Sequence, residues 1–134
     1  MVNVDMFEKG GEMTDCIFCK IVAGSIPSYK IYEDEKYLAF LDIFPTTEGH
    51  TLVIPKKHVD WVWDHDNLGE YFEVVGKIAR HYREIVGEGV RENIFGWNVL
   101  HAHIHIRPRE LDSMKEEKLS HEELVKIQNK FRMS

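Results

Sequence analysis

The stretch NVLHAHIHIRPRE, residues 98–110, places three of the chain's eight histidines at every second position. His101, His103 and His105, which we call the histidine row, are separated by single apolar residues. A two-residue repeat is that of a β-strand, so in a strand all three imidazoles leave the same face of the sheet. A solvent-facing row is normally built from Thr, Lys, Glu or Ser. The row therefore indicates a functional site on a half-buried strand.

Hydrophobic patterns on both sides of the row predict further strands. Two strand-like runs over residues 30–33 and 36–43 are joined by a turn-prone Asp-Glu pair. A third, β-branched run ends at Pro55. We also predict a short strand over residues 93–95 and a long one, containing the row, over residues 98–106.

Residues 68–86 carry apolar side chains at steps of three and four, which predicts a long amphipathic helix. Asn67 and Glu70 can form a capping box at its start, and Gly87 and Gly89 are expected to end it. Strands grouped on either side of one helix are typical of an α+β fold with a mainly antiparallel sheet.

The length of 134 residues suits one domain, which we place at residues 14–110. We expect a flexible N-terminal lead-in over residues 1–13 and a charged C-terminal tail over residues 111–134. Within this tail, a second capping box predicts a short last helix, formed by Ser120 with Glu123 and followed by Leu124, Ile127 and Phe131.

The charge balance argues against nucleic acid as a partner. The net charge is −6, from 17 basic and 23 acidic side chains, whereas nucleic-acid binding depends on many Lys and Arg contacts to phosphates. A small phosphorylated ligand needs only a local site. No apolar run approaches the roughly 20 residues of a membrane span, and the first residues do not resemble a signal peptide. We therefore expect a cytoplasmic protein without a membrane partner.

Both cysteines lie in one CIFC motif, Cys16 and Cys19. In the cytoplasm two such thiols indicate metal ligation or redox chemistry rather than a structural disulfide. Tetrahedral zinc needs two more ligands, and the candidates are the row itself and His50, His58, His65, His81 and His121. A redox dithiol and a pair of thiols packed as small apolar groups are the alternatives.

The spacing of the row suggests a division of labour. Residues two apart on a strand are separated by roughly 6.5–7 Å, and residues four apart by roughly 13 Å, so one small ion cannot use all three imidazoles of such a strand. One division gives an end histidine to a metal and leaves its neighbours to attack phosphorus, because neutral imidazole is a nucleophile and proton carrier. A three-histidine metal site acting on water is the alternative.

These motifs resemble the histidine triad, or HIT, family of nucleotide hydrolases and transferases, whose signature alternates three histidines with apolar residues. The resemblance covers nearly all of residues 14–109, through the block at 16–59 and the row followed by Pro108-Arg109. It implies a five-stranded antiparallel sheet with one long helix, and a two-fold homodimer.

The resemblance also implies residue roles. His103 would be the nucleophile that takes up the nucleotidyl group, His105 would contact the phosphate, and His50 would support the nucleophile. Family members with the same Cys-x-x-Cys bind a structural zinc ion. The ligands here would be Cys16, Cys19, His58 and His101.

For the nucleotide, Asp42 would bind the ribose hydroxyls, which suits a carboxylate facing a vicinal diol. Phe40 and Ile43 would line the base pocket, and core packing is the alternative for each. Gly96 and Asn98 match the residues that contact the phosphate in the family.

The sequence departs from the family pattern in three places. The segment before the row is shorter and has Trp97 where Gln is usual. Arg107 replaces an apolar residue and shares the face of the row by alternation, so it could add a phosphate-binding charge or simply mark an exposed strand end. The tail after Glu110 has no counterpart that we can match.

The leading functional hypothesis is hydrolysis of nucleoside 5′-monophosphoramidates through a covalent nucleotidyl-histidine. A dinucleoside polyphosphate hydrolase or nucleotidyl transferase would use the same covalent step with another leaving group. A nucleotide-binding module without activity is a third reading, based on the shortened segment before the row.

Overall fold

The structure, a computed structural model, describes residues 15–97 and 99–133. The predicted lead-in over residues 1–13 and the predicted phosphate ligand Asn98 lie outside these ranges. In the described part of the chain, no helix is long and apolar enough to cross a membrane.

Five antiparallel strands form one sheet in the order β1-β2-β3-β5-β4. This confirms the predicted α+β fold with an antiparallel sheet. The strands are β1 Lys30–Glu33, β2 Tyr37–Leu41, β3 Thr51–Pro55, β4 Val90–Asn93 and β5 Ile104–Pro108.

Helices cover both faces of the sheet. The long helix α2, Leu68–Val86, and the last helix α3, His121–Phe131, pack with the larger apolar core on one face. The short helix α1, Ile17–Ala23, packs with a smaller core on the other face. We did not predict α1 from the sequence.

Capping residues set the helix ends. Asn67 accepts a hydrogen bond from the Glu70 N–H at 3.0 Å, but the Glu70 carboxylate accepts from the Tyr37 hydroxyl at 3.0 Å. The predicted box at the start of α2 is therefore only half formed. Gly87 ends this helix in the left-handed region, at φ 73°, as expected. The box that starts α3 at Ser120 is complete.

Two predicted strand ranges are wrong. Strand β4 ends at Asn93 instead of covering residues 93–95, and β5 starts at Ile104 instead of residue 98. Backbone pairing sets the start of β5, because its first pairs are those of Ile104 with β3 and of His105 with β4. The chain before Ile104 is held differently, by a bond from the Ala102 N–H to the carbonyl of Val59 at 2.7 Å.

The predicted alternation survives this correction. Ala102, Ile104 and Ile106 all lie in the larger core, under α2. The three histidines lie on the side of the sheet that α1 covers, where Phe18 of α1 contacts the rings of His101 and His103. The row is therefore one-sided although only His105 belongs to a regular strand.

The loop between β2 and β3, residues 42–50, depends on the last helix. Gly49 in this loop has φ 91°, a conformation that favours glycine, and a Cβ there would come within 2.7 Å of the Phe131 ring. Because His50 follows directly, α3 supports the loop that presents this histidine.

Two buried threonines in and next to this loop differ in their hydrogen bonds. The Thr51 hydroxyl donates to the Gly49 carbonyl at 2.7 Å and lies 2.6 Å from the Tyr82 hydroxyl. The Thr47 hydroxyl has no hydrogen-bond partner among the described residues. A buried hydroxyl without a partner lowers stability.

We therefore expect Thr47→Val to raise the free energy of unfolding, by up to about 1 kcal/mol, because the apolar methyl group needs no partner. Thr51→Val is the matched control and should lower it by about 1–3 kcal/mol, since it leaves polar groups unpaired. Urea denaturation of both variants measures the difference. A decrease in the free energy of unfolding of Thr47→Val as large as that of Thr51→Val would mean that the Thr47 hydroxyl does have a hydrogen-bond partner.

Candidate active site and metal centre

The histidine row divides between two adjacent clusters. His101 lies with the two cysteines, His105 lies with Asp42 and His50, and His103 lies between the two clusters. Ring contacts join the two clusters. The Phe18 ring lies 5.8 Å from His101 and 5.4 Å from His103, centroid to centroid, and His103 lies 5.2 Å from His105.

Helix α1 presents the two thiols together. Cys16 caps this helix, and its sulfur accepts a hydrogen bond from the Cys19 N–H at 3.4 Å. His58 follows β3, and its Nδ1 lies 3.3 Å from the Cys19 sulfur and 3.2 Å from Nδ1 of His101. The His101 Nδ1 in turn lies 3.3 Å from the Cys16 sulfur and 3.5 Å from that of Cys19. We call these four residues the cysteine–histidine cluster.

These distances suit a tetrahedral zinc ion. With Zn–S near 2.3 Å and Zn–N near 2.0–2.1 Å, ideal geometry separates sulfur from nitrogen by about 3.5 Å and two nitrogens by about 3.3–3.4 Å. All four ligand atoms lie within 4.8 Å of one another. The four predicted ligands are thus brought together, whereas none of the other candidate histidines is in this cluster.

Hydrogen bonds from Nε2 leave Nδ1 of His58 and of His101 free to bind a metal ion. Nε2 of His101 donates to the Pro55 carbonyl at 2.8 Å, and Nε2 of His58 donates to the Asp60 carboxylate at 2.9 Å. Each ring therefore keeps its Nδ1 lone pair, as metal-bound histidines with such partners do. Burial, with the neighbouring Cys16, raises the pKa of the Cys19 thiol to about 12, so metal binding has to displace its proton.

The hydrogen bond of His103 places its proton on Nδ1 and leaves Nε2 with a free lone pair. Its Nδ1 lies 2.8 Å from the His101 carbonyl, which can only accept, so the proton is on Nδ1 and the lone pair is on Nε2. The ring is buried, and burial lowers its pKa below the ordinary value, which favours the neutral form. A neutral imidazole with one ring nitrogen held by a carbonyl is suited to attack with the other.

His50 and His105 form a relay with defined proton positions. The Thr46 N–H donates to Nδ1 of His50 at 3.3 Å, so His50 carries its proton on Nε2. That proton is donated to Nδ1 of His105 at 3.0 Å, which leaves His105 protonated on Nε2. Burial lowers the pKa of both rings to about 3, and the charge of Arg107 adds to the effect. His105 can thus donate a hydrogen bond to a phosphate oxygen while neutral.

A mostly apolar cavity of about 230 Å³ reaches the relay through Asp42, which lines it and lies next to His50. Three predicted nucleotide-binding residues line it, namely Phe40, Asp42 and Ile43. Asp42 accepts a hydrogen bond from the Phe44 N–H at 2.8 Å, and its other oxygen lies 3.7 Å from Nε2 of His50. Burial raises the pKa of the Asp42 carboxyl. Asp42 is the acidic residue among those that line the cavity. The cavity can bury an apolar ring and offer acceptors at its edge.

A larger cavity of about 460 Å³ lies near the start of α2. Charged side chains line it, including Lys36, Lys56 and Glu70, and of the candidate site residues only His65 does so. We therefore take the smaller, apolar cavity as the candidate ligand site.

The predicted phosphate-contacting residue Gly96 lies in the segment between β4 and the row. A Cβ on Gly96 would be 3.6 Å from the Trp61 ring, which is ordinary contact. Its neighbour Phe95 packs against His105, with ring centroids 4.9 Å apart, and against Trp97 at 5.5 Å. Trp97, which replaces the usual Gln, is 66% exposed. This segment thus meets the relay through an aromatic ring.

Sequence reasoning missed three residues that contact the row or its relay. Phe18 lies between the two cysteines on α1, Thr46 fixes the tautomer of His50, and Phe95 packs on His105. Of these, only Phe18 carried a signal, because an aromatic residue inside a Cys-x-x-Cys turn has to lie near the metal site.

Known proteins are similar to this chain in sequence and in fold. The family model described as HIT domain matches residues 23–112. The Protein hit of Bacillus subtilis is 52% identical over 103 residues, which cover 71% of this chain and 71% of that protein. The adenosine 5′-monophosphoramidase hnt1 of Schizosaccharomyces pombe is 39% identical over 101 residues, covering 70% and 74%. The crystal structure of a Zn-bound histidine triad family protein from Mycobacterium smegmatis superposes with a TM-score of 0.73 at 35% identity, covering 90% of this chain and 92% of that one.

Proposed function

The chain belongs to the HIT domain family, and on this premise we propose that it hydrolyses nucleoside 5′-monophosphoramidates through a covalent nucleotidyl-histidine intermediate. The observation that carries the proposal is the tautomer of His103, whose Nδ1 proton is held by the His101 carbonyl at 2.8 Å. The lone pair on Nε2 is then available for attack. The similarity to a named adenosine 5′-monophosphoramidase supports the substrate class.

In the proposed reaction, Nε2 of His103 attacks the α-phosphorus and forms a P–N bond while the bond to the substrate amine breaks. The nitrogen of the bound phosphoramidate, protonated from solvent, takes the electron pair of the broken P–N bond and leaves as a neutral amine. Water then attacks the phosphorus of the nucleotidyl-histidine, and the products are a nucleoside monophosphate and unmodified His103. His105 donates its Nε2 proton in a hydrogen bond to a non-bridging phosphate oxygen, and His50 holds His105 in that tautomer.

The cavity supplies the nucleoside site. Phe40 and Ile43 enclose the base, and Asp42 accepts hydrogen bonds from the ribose hydroxyls. Gly96 and Asn98 are proposed to contact the phosphate from the segment before the row.

We propose a structural zinc ion in the cysteine–histidine cluster, which assigns the chain to the zinc-containing, phosphoramidase-like branch of the family. The distances among the four ligand atoms and a Zn-bound relative support this. When bound, zinc would cross-link α1 to the segments that carry His58 and His101, away from the phosphorus. A two-fold homodimer in the cytoplasm, without nucleic-acid or membrane partners, remains our prediction from the sequence.

Turnover of two substrates tests this function. We expect purified protein to hydrolyse adenosine 5′-phosphoramidate with a higher kcat/KM than diadenosine tetraphosphate, measured in competition in one reaction. The reverse preference would favour a dinucleoside polyphosphate hydrolase. Binding of adenosine monophosphate without turnover of either substrate would favour a binding module.

Asp42→Asn tests the ribose contact. We expect it to raise KM for the adenosine substrate by about 10-fold, because an amide replaces one acceptor oxygen by a donor. The preference for adenosine over 2′-deoxyadenosine substrates should largely disappear. Glu48→Gln is the matched control, since Glu48 lies in the same loop but pairs with Lys130 at 2.9 Å. If Asp42→Asn preferred adenosine over 2′-deoxyadenosine substrates as strongly as wild type does, Asp42 would not be the residue that binds the ribose hydroxyls.

A further inference from the structure

Arg107, which stands where the family motif has an apolar residue, lies two positions beyond His105 on β5. It therefore extends from the same face of the sheet as His105. It is half-buried, and in the backbone register it lies directly opposite Arg91 of β4. Two like charges opposite each other on an antiparallel pair are unfavourable, so this position needs a specific explanation.

Ion pairing does not supply this explanation. The guanidinium of Arg107 donates from Nε to the Thr46 hydroxyl at 3.0 Å and from Nη1 to the Asn93 side-chain oxygen at 2.6 Å. Both acceptors are neutral. The nearby carboxylate of Asp112 is bound by Arg91 instead, at 2.7 Å. Within the described ranges no carboxylate forms a salt bridge with Arg107, although the charge of Asp112 lies near enough to oppose the effect of burial and of Arg91 on the pKa of Arg107.

The acceptor Thr46 connects Arg107 to the relay. The backbone N–H of Thr46 donates to Nδ1 of His50, and its carbonyl accepts from the N–H groups of Ser113 and Met114 at 2.9 and 3.0 Å. Thr46 is thus held through its side chain by Arg107 and Asp112, and through its carbonyl by the backbone of the tail. An unbroken series of hydrogen bonds runs from Arg107 through Thr46 and His50 to His105.

We propose that Arg107 is a positioning residue, which holds Thr46 so that its N–H fixes the proton of His50 on Nε2 and, through it, the proton of His105 on Nε2. The part that concerns catalysis rests on the proposed function, because it assigns the His105 proton to the phosphate. The tautomer of His50 is independent of any substrate and can be measured without one.

The charge of Arg107 acts in the same direction as its hydrogen bonds. After burial, which is the largest cause, this charge helps to keep the pKa of His50 and of His105 below the ordinary value. Neutral rings can have defined donor and acceptor nitrogens, whereas a protonated imidazole donates from both. Arg107 thus supports a relay of neutral imidazoles with one proton each.

The test combines imidazole ¹⁵N NMR with kinetics on full-length Arg107→Met. In wild-type protein we expect His50 as a single tautomer protonated on Nε2. In Arg107→Met we expect a mixture of the two His50 tautomers and a fall in kcat of roughly 10- to 100-fold, with a smaller change in KM. Thr46→Val, which removes the acceptor and keeps the backbone N–H, should give the same two changes.

Two comparisons complete the test. In the double variant Arg107→Met with Thr46→Val, the loss should be smaller than the sum of the two single losses, because both break the bond between Arg107 and Thr46, while each also removes one further bond, to Asn93 or to Asp112. Arg109→Met is the matched control. This substitution removes the same charge two positions away, from a side chain that pairs with Glu88 at 3.1 Å. It should keep the wild-type tautomer and kcat.

A wild-type His50 tautomer in Arg107→Met and Thr46→Val would overturn the proposal. So would a loss of activity confined to substrates with an anionic leaving group, since that result would mean that Arg107 contacts the substrate directly. If wild-type protein lacked phosphoramidase activity, the proposed function would fail while the NMR comparison still tested the positioning role.

Discussion

His103→Ala is expected to reduce turnover of adenosine 5′-phosphoramidate by roughly 10⁴- to 10⁶-fold, the range found when a covalent nucleophile is removed. The loss follows from the position of the ring, whose Nδ1 is committed to the His101 carbonyl at 2.8 Å. Only Nε2 can then attack phosphorus. Since Asp42 and the apolar cavity are unchanged, the variant should still bind adenosine monophosphate with an affinity near that of wild type.

Single-turnover kinetics and equilibrium binding of adenosine monophosphate separate these two effects. His81→Ala is the control, because His81 lies on α2 and bonds to the Phe131 carbonyl at 2.9 Å, away from the row. It should retain wild-type kcat. Equal rates for wild type and His103→Ala would mean that His103 is not the nucleophile.

Cys16→Ser is expected to remove the metal and to destabilise the protein. Wild-type protein purified under reducing conditions without chelators should contain about one zinc ion per chain, and the variant close to none. Because the four ligands come from α1 and two distant segments, zinc binding energy contributes to folding, and its loss should lower the free energy of unfolding by several kcal/mol. Elemental analysis and urea denaturation measure the two effects.

Loss of zinc should also weaken nucleotide binding. Phe18 lies between the two cysteines, lines the apolar cavity, and its ring centroid lies 5.4 Å from that of His103. We therefore expect Cys16→Ser to bind adenosine monophosphate more weakly than wild type, measured at a temperature at which both are folded. Asp60→Ala, which removes only the outer hydrogen bond of His58, should give smaller changes in the same direction. Metal-free wild-type protein with unchanged stability would contradict the zinc assignment.

The sequence predicted the one-sided row because alternation is a local property of the chain. Ala102 and Ile104 between the histidines require a core on the opposite side, and the structure has it there. The length of the strand could not be predicted in the same way. Strand β5 starts at Ile104 because its first backbone pairs are those of Ile104 with Val53 of β3 and of His105 with Asn93 of β4, and such pairing joins distant segments of the chain.

The metal ligands illustrate a similar limit. The Cys-x-x-Cys spacing indicates two ligands on one turn, but His58 lies 39 residues from Cys19 along the chain. Nothing in the spacing distinguishes it from the other histidines, and only the family resemblance selected it. Helix α1 was missed because its first turn has no acidic residue to mark its start. Contacts of Arg107 with Thr46 depend on the path of a loop, which no periodicity encodes.

The covalent intermediate is the central claim, and mass spectrometry tests it most directly. Wild-type protein is mixed with a slowly hydrolysed adenosine phosphoramidate, quenched, digested and mapped. We predict one adenylyl group on the peptide that contains the row, attached at His103 and absent from His103→Ala. Turnover by wild-type protein without any adduct, or an adduct on another residue that persists in His103→Ala, would contradict the account.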